Sequence, residues 1–226
     1  MATLGYDVHP SVKLMEEWIR TLPTSSGKSL AAWMRAIRAE KFAGSAEARA
    51  WLKKEHGLGT NACWHLAERA FARDLSLMDD DPERYLAMAP KYVDGQYAGK
   101  KAGLRAIYER LHGACRGLGA DVLICPCKTI VPVYREHVFA QIKPTTNSRV
   151  DLGLCLTALV KDGRALPDRL VDTGGFAKKD RITHRVALAS PDDVDAFALK
   201  WLARAYGLDA PATTGARSRA TRARAE

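Results

Sequence analysis

"TIVPVYREHVFAQIKPTTNSRVDLGLCL", residues 129–156, decides the fold. Its β-branched, aromatic and leucine residues come in runs too short for helices, and turn-prone Pro, Thr, Asn and Ser separate the last two runs. "HVFAQIKP" and "RVDLGLCL" therefore read as strands. Side chains alternate between the faces of a strand. If Val150, Leu152, Leu154 and Leu156 meet a core, then Asp151, Gly153 and Cys155 face away from it.

Working outward, "DVLICP" before this stretch and "RITHRVALA" after it extend the sheet. In the latter, Ile182, Val186 and Leu188 are expected on the core side with His184, and Thr183 and Arg185 on the other. The strands are bracketed by two helices. "KKAGLRAIYERLHGACRGLG" carries Leu104, Ile107, Tyr108, Leu111 and Cys115 on one side, and "PDDVDAFALKWLARAYG" begins with Pro191 and acids suited to a helix N-terminus. Helix, several strands, helix predicts an α+β domain over residues 100–206: an antiparallel or mixed sheet with helices packed on one face. The α/β alternation of a parallel doubly wound sheet is absent from the sequence.

Residues 1–78 have a different character. "HPSVKLMEEWIRTLP" starts a helix at Pro10 and is expected to stop at Pro23. Ser29 caps a second helix with Leu30, Trp33, Met34 and Ile37 at helical spacing. Ser45 and Thr60 are the expected caps of a third and a fourth. The prediction is a small N-terminal α-helical module. Residues 79–99 are acidic and broken by Pro and Gly, and read as a linker without a persistent helical face. Residues 207–226, rich in Ala, Thr and Arg, read as a disordered basic tail.

The formal net charge is +9. Residues 100–206 hold 18 basic against 11 acidic side chains, so most of the excess lies in the second folded part. Such a balance favours polyanionic partners. Nothing approaches a membrane span, and "MATLGYDVHPSV" has neither a basic leader nor an apolar core, which argues against export. Five cysteines without framework spacing suit reduced thiols. A cytoplasmic location is the expectation.

Several motifs compete with plainer readings. Cys125 and Cys127 would share one side of a strand, but structural zinc sites space such pairs by two to four residues and add a second pair. Cys155, His137 and His184 lie scattered on other segments, so packing is the preferred account, and no metal or cofactor is expected. "SSGKS" lacks the earlier glycine of a phosphate loop and is explained by Ser29 as a cap. "SAEARAWLKKEHGLGTNACWHLAERA" has the outline of a helix-turn-helix whose second helix would present Asn61, Trp64, His65 and Glu68 to DNA. Lys53 and His56 fit that motif poorly, and a plain helical hairpin is preferred.

The sheet's far face is the main candidate site. Strand alternation places Arg149 and Arg185 there, with Arg135, Gln141 and Lys143 by the same pattern, and Lys128 nearby. Lys128, Arg135, Lys143, Arg149 and Arg185 would then form a basic open face that contacts nucleic acid or another polyanion. The rival is a small-molecule binder or enzyme with a pocket formed by His184, Asp151 and Arg185. A third reading is a protein-interaction adaptor or homo-oligomer. No nucleophile elbow, HExxH, paired-carboxylate signature or dinucleotide fingerprint occurs, so a non-catalytic role is preferred and no catalytic residue is assigned.

Two stretches carry a family likeness. The Gly-Lys-Ser helix start, the tryptophan-bearing helix and "WLKKEHGLG" resemble a small helical bacterial family of unknown function, numbered 4287. "FAQIKP", "RVDLGLCL" and "ITHRV" resemble a second such family, numbered 5655, which follows the first in tandem. The resemblance implies two domains, the second α+β. It implies no activity and no site residues.

Overall fold

The computed structural model describes residues 5–72 and 81–210. The chain forms two compact units, one covering Val8–Met88 and the other made of the segment ending at Asp7 together with the chain from Ala89 onward. The fold class expected from the strand pattern is the one observed.

The first unit contains α1 (Pro10–Ser26), α2 (Leu30–Ala39), α3 (Ser45–His56) and α4 (Thr60–Phe71). Leu22, Trp33, Ile37, Ala48, Leu52, Cys63, Leu66 and Ala67 form its core. Pro23 does not stop α1. It sits in the last turn, where Gly27, at φ 75°, donates its N–H to the Pro23 carbonyl and the Ser26 hydroxyl bonds Leu22 O at 2.7 Å. Ser29 caps α2 as expected. The caps of α3 and α4 are Gly44 and Gly59, one residue before the expected Ser45 and Thr60.

The stretch read as an irregular linker instead carries α5 (Pro82–Gln96). Asp81 supplies its cap, accepting the Arg84 N–H at 2.7 Å, and Pro82 takes the first helical position. A buried face does persist, through Tyr85, Ala89, Val93 and Gln96. Pro90 was the misleading signal, since it removes one donor without ending the helix. The division between the two units falls inside α5, between Met88 and Ala89.

The second unit is built on a six-stranded antiparallel sheet in the order β1-β2-β3-β4-β6-β5. Its strands are β1 (Leu123–Ile124), β2 (Val131–Tyr134), β3 (Val138–Thr146), β4 (Arg149–Leu154), β5 (Val171–Asp172) and β6 (His184–Leu188). The pair β3–β4 is a hairpin closed by Asn147 and Ser148. Ile142, Leu152 and Val186 lie side by side in register, as do Ala140, Leu154 and His184. A 3-10 segment (Gly99–Leu104) leads into α6 (Arg105–Arg116), which packs with α8 (Ala196–Leu208) against this row; α7 (Thr157–Lys161) is a short turn of helix. Ser190 and Asp193 form a capping box ahead of α8, whose own cap is Asp195.

The strand pattern fails just ahead of β6. Thr183 is fully buried and its hydroxyl accepts the Leu156 N–H at 3.1 Å, whereas Ile182 lies over Gly153 on the far side of the sheet. Strict alternation applies only from His184, where β6 begins. The far face is therefore partly covered by Ile182, not fully open. The tail expected to be disordered from residue 207 begins inside α8, which runs to Leu208, and from residue 211 it lies outside the described residues.

Residues 5–7 belong with the second unit. The Asp7 N–H donates to Ile124 O, while Gly5 O accepts from Arg116 Nη2 at 2.8 Å and lies 3.0 Å from His112 Nε2. The Tyr6 and Tyr108 hydroxyls lie 3.2 Å apart. Among the described residues, no helix is long and apolar enough to cross a membrane.

Candidate functional site

The five cations expected on the far face do not act together. Arg149 and Arg185 converge on one carboxylate, with Arg149 Nη2 donating to Asp151 Oδ2 at 3.3 Å and Arg185 Nη1 to Asp151 Oδ1 at 3.2 Å. Asp151 is 8% exposed, so its charge needs those partners. Lys143 stands opposite Asp151 in register but forms no ion pair with it. Arg135 is elsewhere. It pairs with Asp121 at 2.7 Å and stacks 4.1 Å above the Tyr206 ring at the end of α8. The Arg135 and Tyr206 bonds hold the Asp121 carboxyl below the usual range, with the Tyr206 hydroxyl contributing most.

Lys128 and Lys143 do come together, with two residues the strand argument missed. They line a depression of about 690 Å³ whose other walls include Gln96, Lys100, Lys101, Thr129, Thr145 and Asn147. Three segments build it: the turn between α5 and α6, the loop between β1 and β2, and the β3–β4 hairpin. Two ties fix them. Gln96 Nε2 donates to Cys127 O at 2.7 Å and Ile130 O at 3.3 Å, and Lys101 Nζ donates to Pro144 O at 2.6 Å. Gly99, at φ 58°, turns the chain into the helix start that presents Lys100 and Lys101.

Among the described residues, the lining holds four lysines and no carboxylate. Among the described residues none of the four forms an ion pair. Like charges gathered without counter-charge raise the local potential and favour an anion. The placement of Lys100 and Lys101 is a further sign, because cations in the first turn of a helical run oppose its dipole. That mismatch was visible in "YAGKK" and was the signal available to sequence reasoning. Their nearness to Lys128 and Lys143 was not, since it depends on tertiary ties.

The alternative pocket does not assemble. His184 shares the helix-covered face with Val186 and Leu188, while Asp151 and Arg185 project from the opposite face. His184 is buried and its Nδ1 lies 3.1 Å from the Thr183 hydroxyl; desolvation lowers its pKa, with Asp172 opposing. A second depression, of about 540 Å³, is lined by Arg149 and Arg169 together with Asp193 and Asp195, and Arg169 is tied to Asp195 at 2.6 Å. None of His184, Asp151 and Arg185 lines either depression.

In the helical unit, Trp64 is 49% exposed and Asn61 is exposed, but Glu68 is engaged with Arg49 at 3.5 Å. His56, which fits a helix-turn-helix poorly, is packed edge-on to the rings of Trp33 and Trp51 at 4.9 and 4.4 Å. Cys125 is buried and Cys127 is half-buried, with the Cys127 thiol 3.7 Å from the Cys125 carbonyl. Only Leu123 and Ile124 form the strand; Cys125 and Cys127 continue it as isolated backbone bonds to Pro132 and Ile130. Among the described residues, no three His, Cys, Asp or Glu side chains are grouped to hold a metal ion.

No curated protein and no solved structure matches the chain. Residues 15–62 match the profile described as Domain of unknown function (DUF4287). Residues 93–209 match the one described as Domain of unknown function (DUF5655), and that match begins in α5 and ends just past α8, taking in the whole sheet. Because it spans more than half of the 226 residues, the chain belongs to the DUF5655 family, with a DUF4287 region ahead of it in tandem.

Proposed function

We propose that this is a cytoplasmic, bacterial, non-catalytic binding protein that engages the phosphates of nucleic acid through its lysine-lined depression. One observation carries the reading: Lys100, Lys101, Lys128 and Lys143 line a single concavity with no acidic side chain in it among the described residues. Phosphate contacts of this kind supply affinity by releasing condensed counterions. Of the five cations first expected to bind, Lys128 and Lys143 keep that role. Arg135, Arg149 and Arg185 have acidic partners and serve the sheet's own electrostatics.

The test is equilibrium binding of the purified full chain to labelled DNA and RNA at low ionic strength. Binding should be measurable and salt-sensitive, and Lys128→Ala with Lys143→Ala should weaken it by about tenfold or more at moderate salt. Absence of retention at low salt, or binding indifferent to all four lysines, would overturn the proposal. His184 lies on the opposite side of the sheet from Asp151 and Arg185, which favours the nucleic-acid reading over a small-molecule pocket around that ring.

A further inference from the structure

We infer that the depression reads phosphate alone, so that its partner is duplex nucleic acid of any sequence; this rests on the nucleic-acid reading above. Base recognition in a groove uses planar side chains that offer two hydrogen bonds at once, above all Arg on guanine and Asn or Gln on adenine. Single-strand binding without sequence preference uses aromatic rings on which bases stack. Among the described residues, the lining of the depression contains neither an arginine nor an aromatic ring.

Two lining residues carry amides, and the structure commits one of them. Gln96 has its Nε2 committed to the Cys127 and Ile130 carbonyls, and those two acceptors also fix which way the amide faces. It therefore has no free donor with which to pair an adenine edge. Asn147, exposed at the tip of the β3–β4 hairpin, offers one amide against four ammonium groups.

The charged groups that remain are all ammonium groups. Lysine acts on phosphate as a point charge and not as a directional fork. Charge density then decides the ligand. A duplex carries one negative charge for about every 1.7 Å of its axis, about twice the density of one of its strands. With no ring to gain stacking from single-stranded bases, the duplex is the better-matched partner.

The experiment uses the full chain and three labelled probes of equal length: an A·T-rich duplex, a G·C-rich duplex and a mixed single strand. The two duplexes should bind with affinities within about twofold, and both more tightly than the single strand. A single bidentate base contact would separate the duplexes by about fivefold or more. Four phosphate-neutralising lysines predict a slope of log K against log salt near about −3.6, and Lys100→Ala and Lys128→Ala should each flatten it by about 0.9, equally on both duplexes. Fivefold discrimination between duplexes, or preference for the single strand, overturns this inference and leaves the nucleic-acid reading standing. Binding to none of the probes overturns both.

Discussion

Asp7 and Ile124 bond to each other twice: the Asp7 N–H donates to Ile124 O at 3.0 Å, and Asp7 Oδ2 accepts the Ile124 N–H at 2.7 Å. This pairing satisfies the outer edge of β1, which would otherwise expose backbone donors and acceptors. The same carboxylate accepts from Arg116 Nη2 on α6. The second unit is thus completed by residues that precede the helical unit in sequence. Asp7→Ala should leave the Ile124 N–H without its acceptor and cost about 1.5–3 kcal/mol, the range for a hydrogen bond to a charged group. Asp7→Asn, which keeps an acceptor, should cost less. Urea denaturation checks the energies, and hydrogen exchange at Ile124 checks the place.

The covering of the far face by Ile182 can be tested through glycine. A Cβ added at Gly153 would stand 2.7 Å from Ile182 Cγ2 and 3.2 Å from Gln141 Cγ. At Gly175 it would meet the backbone carbonyl of Ile182. A side-chain methyl can be displaced more cheaply than a backbone that is itself hydrogen-bonded. Gly153→Ala should therefore destabilise by about 1–3 kcal/mol, a typical overpacking cost, and Gly175→Ala by more. Thermal melting of the two variants ranks them; equal melting temperatures would mean that Ile182 does not lie over the sheet.

That same residue marks where the sequence stopped being legible. Val150, Leu152, Leu154, Val186 and Leu188 were placed correctly because each lies within a paired strand, where the period of two is enforced by the ladder. Ile182 and Thr183 precede β6, and there a side-chain bond from the Thr183 hydroxyl to Leu156 sets the orientation instead. The candidate site was half legible for a similar reason. Alternation finds residues on strands, so it gave Lys143, but it cannot bring a helix start beside a hairpin. Lys100 and Lys101 reach Lys143 only through the Lys101–Pro144 bond. Nor does alternation reveal charge pairing: Arg149 and Asp151 are two apart on one strand and so share a face, which makes the cation expected to bind phosphate the natural partner of its own neighbour.

Acid should loosen the fold before its carboxylates titrate. Desolvation lowers the pKa of His9, His65, His112 and His184 from the ordinary value of 6.5. For His112 the Gly5 carbonyl opposes the shift without cancelling it. A histidine kept neutral by the fold binds its proton more readily once unfolded, so its stabilising contribution is complete above about pH 6.5 and is lost as pH falls through the lower folded value. Melting temperature should hold between pH 8 and 7 and decline below about 6.5. His112→Asn, which keeps a donor for Gly5 O, should flatten part of that decline; an unchanged profile would exclude His112 as a contributor.

The thiols provide the last prediction and bear on the cysteine pair. Burial pushes the Cys125 thiol up to about 12, helped by the nearby Asp7 and Cys127, and burial pushes Cys115 up to about 12 as well. A thiolate is the reactive form, so both should be almost inert to iodoacetamide at pH 8. Cys127 and Cys155 are half-buried and should be labelled first. A shared redox role needs both sulfurs to react as thiolates, and burial leaves Cys125 largely protonated at neutral pH. Peptide mass mapping after timed alkylation separates the cases. Matching rates at Cys125 and Cys127, or protection of both that is lifted by a chelator, would restore the paired-thiol reading; slow labelling of Cys125 with fast labelling of Cys127 means the first sulfur serves the core and the second is merely near the surface.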